Sequence, residues 1–233
     1  MKSITIPSID TTLFTFNKGG STLLHSALRS FLDWKGIEIH SQIKWGTNKI
    51  LIVRNPIQRF YSGYSQWIDK SGLSIDKMDN KGIIEGLSYF FKGIRNREGE
   101  FKNDYHYLPQ CVILKEMGLP SDIKIIQLEK LSEDIERRLL WDNPTTDPQL
   151  WDMKPRISNH FPFFLELGIY LDEWDGMVFG GMWLLSKANL NGHHRGLNSH
   201  LQSLVSNNDV KLDREIENYF QSEIIKYGYE SII

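Results

Sequence analysis

Three times along the chain a short β-branched or apolar run gives way to turn residues and then to an amphipathic helical pattern. This order constrains the fold more than any other feature. Residues 12–16, TLFTF, run into Asn17, Lys18, Gly19 and Gly20. Leu23, Leu24, Ala27, Leu28, Phe31 and Leu32 then recur at helical spacing, with His25, Ser26, Arg29 and Ser30 on the other side. A second run, 49–53, is followed by Asn55, suited to a helix cap, and Pro56, suited to the first helical position. Ile57, Phe60, Tyr61, Tyr64, Trp67 and Ile68 then make an inward face. A third strand, 123–128, leads into a helix with Leu131, Ile135 and Leu139 at i, i+4, i+8. Apolar strands alternating with covering helices belong to parallel sheets. The expected fold is therefore α/β, a P-loop-like parallel β-sheet flanked by helices, as a single domain over residues 1–233.

Between these units the pattern weakens. Residues 71–103 hold glycines and many Lys, Asp and Asn around an apolar helical patch from Ile83 to Phe91, and are expected to lie as an insertion over the edge of the core. Residues 141–190 are rich in Trp, Pro and Gly with poor periodicity, which predicts loop-rich packing or a substrate-side cover. Order returns with Leu212, Ile216, Tyr219, Phe220, Ile224 and Tyr227, an amphipathic helix stopped at Gly228.

The charge balance excludes whole classes of partner. Lys plus Arg total 27 against 29 Asp plus Glu, so no global basic field draws the protein to nucleic acid or to a membrane surface. Any anion site must be local. The single cysteine, Cys111, closes no intramolecular disulfide, and no Cys/His cluster has metal-ligand spacing, so a reducing compartment and no metal are expected. The N-terminus lacks a secretory apolar core, and no window approaches the roughly 18 apolar residues of a membrane span. A soluble cytoplasmic protein is expected.

The first strand-to-helix turn has the chemistry of an anion cradle. A helix N-terminus carries unpaired N–H groups and partial positive charge, and glycines let backbone approach an oxyanion closely. Gly19, Gly20, Ser21, Thr22 and Leu23 supply such groups, and Lys18 adds a full charge. The nucleoside triphosphate P-loop places its lysine after the last glycine. Here the lysine comes first, so that motif is absent.

The order K-x-G-[ST]-T is instead similar to the 5′-phosphosulfate loop of sulfotransferases that use 3′-phosphoadenosine 5′-phosphosulfate (PAPS). Residues 54–64, RNPIQRFYSGY, resemble the same family's R-[DN]-P-x-x-R-[FY]-x-S-x-[YF] element. Two further segments resemble the carbohydrate sulfotransferases, the group with the glycosaminoglycan and HNK-1 enzymes. They are DYHYLPQ at 104–110, against D-x-H-[WF]-x-P-Q, and KIIQLEKLSED at 124–134, against a strand and an E-x-L-x-x-D helix start. The closing NYFQSEIIKYGYE is similar to that group's last helix and its terminal G-Y.

The resemblance implies an enzyme with PAPS as co-substrate and a hydroxyl-bearing acceptor, expected to be a carbohydrate. Lys18 would meet the bridging and sulfuryl oxygens, while Arg54 and Ser62 would hold the 3′-phosphate by a charge-assisted bond and a hydroxyl donor. Arg59 is read equally as an ion pair that holds its helix. His106 is the expected base, since an imidazole is partly neutral at physiological pH and accepts a hydroxyl proton. His25, one turn after Ser21, is its rival. Glu129 is open between a substrate carboxylate or base and an ion pair with the region of Lys130 or Arg137. In HHRGLNSH, His193, His194 and His200 lack the carboxylates or fixed spacing of a metal site. There the resemblance implies a polar loop whose Arg195, with Asn198, reaches the 3′-phosphate or ribose. Animal members of the group are anchored in the Golgi and carry cysteine pairs, features this chain lacks, so a soluble microbial or viral enzyme is expected. Two other readings stay open, a P-loop small-molecule kinase and a catalytically silent nucleotide-binding relative.

Overall fold

The computed structural model describes residues 2–17, 21–40, 48–102, 104–118, 123–139, 163–164, 167, 169–171, 173–190 and 195–229. For some helical positions among these, Ser21, Thr22, Leu23 and Arg195 included, it describes the backbone alone. The described residues form an α/β structure, a four-stranded mixed sheet with eight α-helices. The strands are β1 (Lys2–Ile6), β2 (Thr11–Thr15), β3 (Asn48–Val53) and β4 (Lys124–Gln127), in the order β1-β2-β3-β4. β2, β3 and β4 pair in parallel, as the strand-to-helix pattern requires. β1 pairs antiparallel with β2, from Lys2 opposite Thr15 to Ile6 opposite Thr11. The sheet is thus mixed rather than wholly parallel. A short 3₁₀ turn, Pro7–Ile9, and Asp10 at a left-handed φ of 47° fold the chain back to make this hairpin.

Each parallel strand delivers a helix from its C-terminal end: α1 (Ser21–Trp34), α2 (Pro56–Lys70) and α5 (Leu128–Leu139). Asn55 caps α2, accepting from the Ile57 and Gln58 amides at 3.0 and 3.1 Å, ahead of Pro56. Such a cap is worth about 1 kcal/mol. The other helices are α3 (Asn80–Asn96), α4 (Gln110–Glu116), α6 (Glu173–Leu190), α7 (Arg195–Asn208) and α8 (Val210–Lys226).

Alternate residues of the strands enter different cores. Ile4, Ile6, Leu13, Ile50 and Ile52 pack with Leu24, Leu28 and Phe31 of α1 and with Phe179 and Trp183 of α6. Phe14, Leu51 and Val53 face the other way, onto Leu108, Ile113 and Leu114 and onto Tyr227. Burial on both faces explains why these strands read as continuous apolar runs. A further cluster contains no strand residue: Phe60, Tyr64, Phe90, Phe91, Leu201 and Phe220 join α2, α3, α7 and α8.

Two segments differ from expectation. Within 71–103, α3 buries Ile83, Leu87, Phe90, Phe91 and Ile94 in the α2 cluster, so this stretch builds core rather than lying over its edge. Within 141–190, α6 is an 18-residue helix packed on α1, with Lys35, just past the end of α1, donating to Asp175 at 2.7 Å. Its sequence does not announce it because it is apolar on more than one side, Phe179 and Trp183 inward and Leu184 and Leu185 exposed, which erases the 3.6-residue signature. Residues 140–162 lie outside the described residues. No helix among the described residues is long and apolar enough to cross a membrane.

Candidate functional site

Parallel pairing sets the C-terminal ends of β2, β3 and β4 level. Thr15 pairs with Ile52, and Val53 pairs with Gln127. The residues that leave each strand therefore meet at one edge: Phe16 and Asn17 leading to Lys18, then Arg54 and Asn55, then Leu128 and Glu129. Ligands of open α/β sheets bind at this edge, beside the helix N-termini. Lys18, Gly19 and Gly20 lie outside the described residues. Ser21, Thr22 and Leu23 form the first turn of α1, where helix geometry leaves amides without intrahelical acceptors. Thr15, the last residue of β2, is buried with a hydroxyl that has no hydrogen-bond partner among the described residues.

Arg59 joins this edge to the 104–110 segment. Its guanidinium, 2% exposed, donates from Nε to the Asn17 carbonyl at 3.1 Å and from Nη1 to the Leu108 carbonyl at 2.6 Å. Nη2 donates to the carbonyls of Tyr105 and His106 at 3.1 and 3.2 Å. The carbonyl just before Lys18 and the carbonyl of His106 thus share one planar group. Burial lowers the Arg59 pKa to about 10, against the opposing charge of Glu223, so it stays cationic at neutral pH. Glu223 is itself buried and accepts from the Cys111 amide at 3.2 Å; burial raises its pKa and Arg59 opposes the rise. The ion pair expected of Arg59 is replaced by a fork of carbonyl contacts with a buried counter-charge.

His106 is held by its own neighbour. Asp104 Oδ1 accepts from the His106 amide at 2.8 Å and lies 2.6 Å from Nδ1. A carboxylate on Nδ1 calls for an N–H there, which leaves the lone pair on Nε2. Burial works against the Asp104 carboxylate, but the His106 hydrogen bonds and the charges of His106 and Lys70 outweigh it and lower its pKa. Lys70 Nζ stands 3.7 Å from Asp104 Oδ2. The imidazole is 38% exposed and so open to a substrate. Sequence reasoning gives Asp104 no role of its own within DYHYLPQ, although carboxylate and histidine two residues apart are its signal.

His25 is a poorer base. Burial and then the charges of Lys2 and Arg29 lower its pKa to about 4. An unfolded chain takes up that proton near 6.5 and the folded one only near 4. His25 therefore withdraws stability as pH falls through this window. A proton acceptor works best with its pKa near the working pH, which counts against His25.

The Arg54–Asn55 turn is clamped by distant side chains. Gln110 takes the Arg54 amide on Oε1 at 3.1 Å and donates from Nε2 to the Arg54 carbonyl at 2.9 Å. Glu129 Oε1 accepts from the Asn55 amide at 2.9 Å, and the Tyr229 hydroxyl donates to Oε2 at 2.7 Å. Glu129 is thus not an open carboxylate, and among the described residues it makes no ion pair; the side chain of Arg137 lies outside them. Gln110 and Tyr229 are likewise structural partners that local pattern does not mark. Arg54 itself is half-buried, close enough for its charge to act on the Tyr229 phenol.

Ser62 lies on the side of α2 opposite the apolar stripe and is nonetheless buried, because α2 is enclosed around most of its circumference. Arg195 and Asn198 belong to the first turn of α7 and not to a loop. α7 packs on α2, and Asn198 Oδ1 is buried without a partner among the described residues. Among the described residues no group of three or more His, Cys, Asp or Glu is arranged to hold a metal ion. No protein-family model matches the chain, and comparison with curated proteins and with solved structures finds no match.

Proposed function

We propose that the protein is a sulfotransferase that moves a sulfuryl group from PAPS to a hydroxyl, with a carbohydrate as the acceptor class. One observation carries the reading. A single guanidinium bonds the Asn17 carbonyl, just past the end of β2, and the His106 carbonyl, so the end of β2 and a carboxylate-oriented imidazole are neighbours. In this reaction the acceptor oxygen attacks sulfur as its proton passes to His106 Nε2. The bond from sulfur to the bridging oxygen breaks, and 3′,5′-adenosine bisphosphate leaves with that electron pair. Lys18 and the amides of Ser21, Thr22 and Leu23 would stabilise the charge on its 5′-phosphate, in a P-loop-like turn. Arg54, Ser62, Arg195 and Asn198 would serve the 3′-phosphate and ribose. Asn198 Oδ1, buried without a partner among the described residues and on a helix packed against α2, could accept from a ribose hydroxyl. A kinase would want a free strand-end carboxylate for Mg²⁺, but Glu129 is spent on Asn55 and Tyr229.

A melting-temperature screen tests the nucleotide. At about 100 times its Kd a ligand of the folded state adds about 2.7 kcal/mol of stability. 3′,5′-Adenosine bisphosphate is expected to raise the Tm well above AMP or ATP with Mg²⁺. A rise with ATP and Mg²⁺ alone would favour the kinase.

A further inference from the structure

The last turn of α8 is built to return the chain to the nucleotide edge. Gly228 sits at φ 68°, and its amide bonds the Ile225 carbonyl at 3.1 Å, while the Tyr229 amide bonds the Ile224 carbonyl at 2.9 Å. These are the two bonds of a Schellman stop, which fixes the direction in which the chain leaves the helix. The Tyr227 carbonyl is then held by Gln127 Nε2, at the end of β4, at 2.6 Å. Tyr229 lands on the end of β3, its hydroxyl 2.7 Å from Glu129 Oε2 and 3.3 Å from the Val53 carbonyl. The other oxygen of the same carboxylate carries the Asn55 amide.

We infer that Tyr227–Tyr229 is a positioning strap, which acts through Tyr229 and Glu129 to set the Arg54–Asn55 turn for the 3′-phosphate. The inference rests on the reading of Arg54 as the 3′-phosphate cation. Tyr229 is a positioning residue, since it acts on the ligand only through the turn. Burial, with the Glu129 carboxylate beside it, holds the phenol far above its ordinary pKa, so the hydroxyl keeps its proton and donates across the working range.

The test is Tyr229→Phe in the full chain, which removes one hydroxyl and keeps the ring. Two readouts are taken: amide hydrogen exchange at Asn55 against the interior of α2, and affinity for 3′,5′-adenosine bisphosphate against AMP. Loss of a hydrogen bond to a charged group predicts exchange at Asn55 faster by about tenfold, bisphosphate weaker by about tenfold, and AMP unchanged. Unchanged exchange at Asn55 overturns the strap. Faster exchange with bisphosphate unaffected, or with both nucleotides weakened alike, overturns its role toward the 3′-phosphate. If the parent binds no bisphosphate, the reading of Arg54 fails, the role toward the 3′-phosphate falls with it, and exchange at Asn55 alone decides whether the strap holds the turn. Should Tyr229→Phe not fold, Glu129→Gln keeps one acceptor for Asn55, breaks the charged partnership with Tyr229, and is read in the same way.

Discussion

His106→Ala is expected to slow sulfuryl transfer by roughly 10²- to 10⁴-fold, the range spanned by positioned general bases. KM for PAPS should stay near the parent value, because in the proposed reaction the imidazole serves the acceptor and not the nucleotide. The side chain is 38% exposed and, among the described residues, hydrogen-bonds only to Asp104 of its own loop, so the Tm should hardly move. Asp104→Asn in the same assay separates a base from a bystander. An amide on Nδ1 permits the wrong tautomer, which puts N–H on Nε2 and removes the acceptor. The variant should lose activity while still binding 3′,5′-adenosine bisphosphate. Transfer by His106→Ala at a rate within a few fold of the parent would take His106 out of the reaction.

Arg59→Met is expected to cost about 3–5 kcal/mol of stability, since four carbonyls lose their donor and each buried acceptor left unsatisfied costs about 1–3 kcal/mol. The methionine fills much of the volume but leaves the carbonyls of Asn17, Tyr105, His106 and Leu108 without their donor. It also leaves Glu223 buried without its counter-charge. Arg59→Lys should recover only part of the loss, because an ammonium cannot present the planar fork that reaches four carbonyls. Urea unfolding measures both variants. A loss under about 1 kcal/mol for Arg59→Met, the worth of a single ordinary hydrogen bond, would mean that the two loops hold their positions without the guanidinium. The observation that supports the functional reading would then lose its force.

The contrast between these residues shows where sequence reading succeeds. β2 and β3 are legible because strands buried on both faces write continuous apolar runs, β4 because half-buried Ile125 and Ile126 face opposite cores, and Asn55-Pro56 announces the start of α2 by its own chemistry. β1 is not: its pairing partner is the far arm of a hairpin, and ITIPSID carries a proline that masks the strand before it. α6 is hidden because a helix with apolar residues on several sides has no amphipathic period. Of the site, His106 is legible as a motif residue, but its dependence on Arg59 is not. Gln110 reaches Arg54 across 56 residues, Glu129 reaches Asn55 across 74 and Tyr229 reaches Glu129 across 100. Local periodicity carries no record of bonds that only the closed sheet edge brings within reach.

The central claim is the transfer itself, and its sharpest measurement traces labelled sulfate from PAPS onto a panel of mono- and oligosaccharides, with the parent and with Lys18→Ala. Label is expected on at least one acceptor with the parent, and transfer slower by roughly 10²-fold when the cation at the bridging oxygen is removed. Equal transfer by the two proteins, or none by a folded parent that binds 3′,5′-adenosine bisphosphate, would overturn the claim.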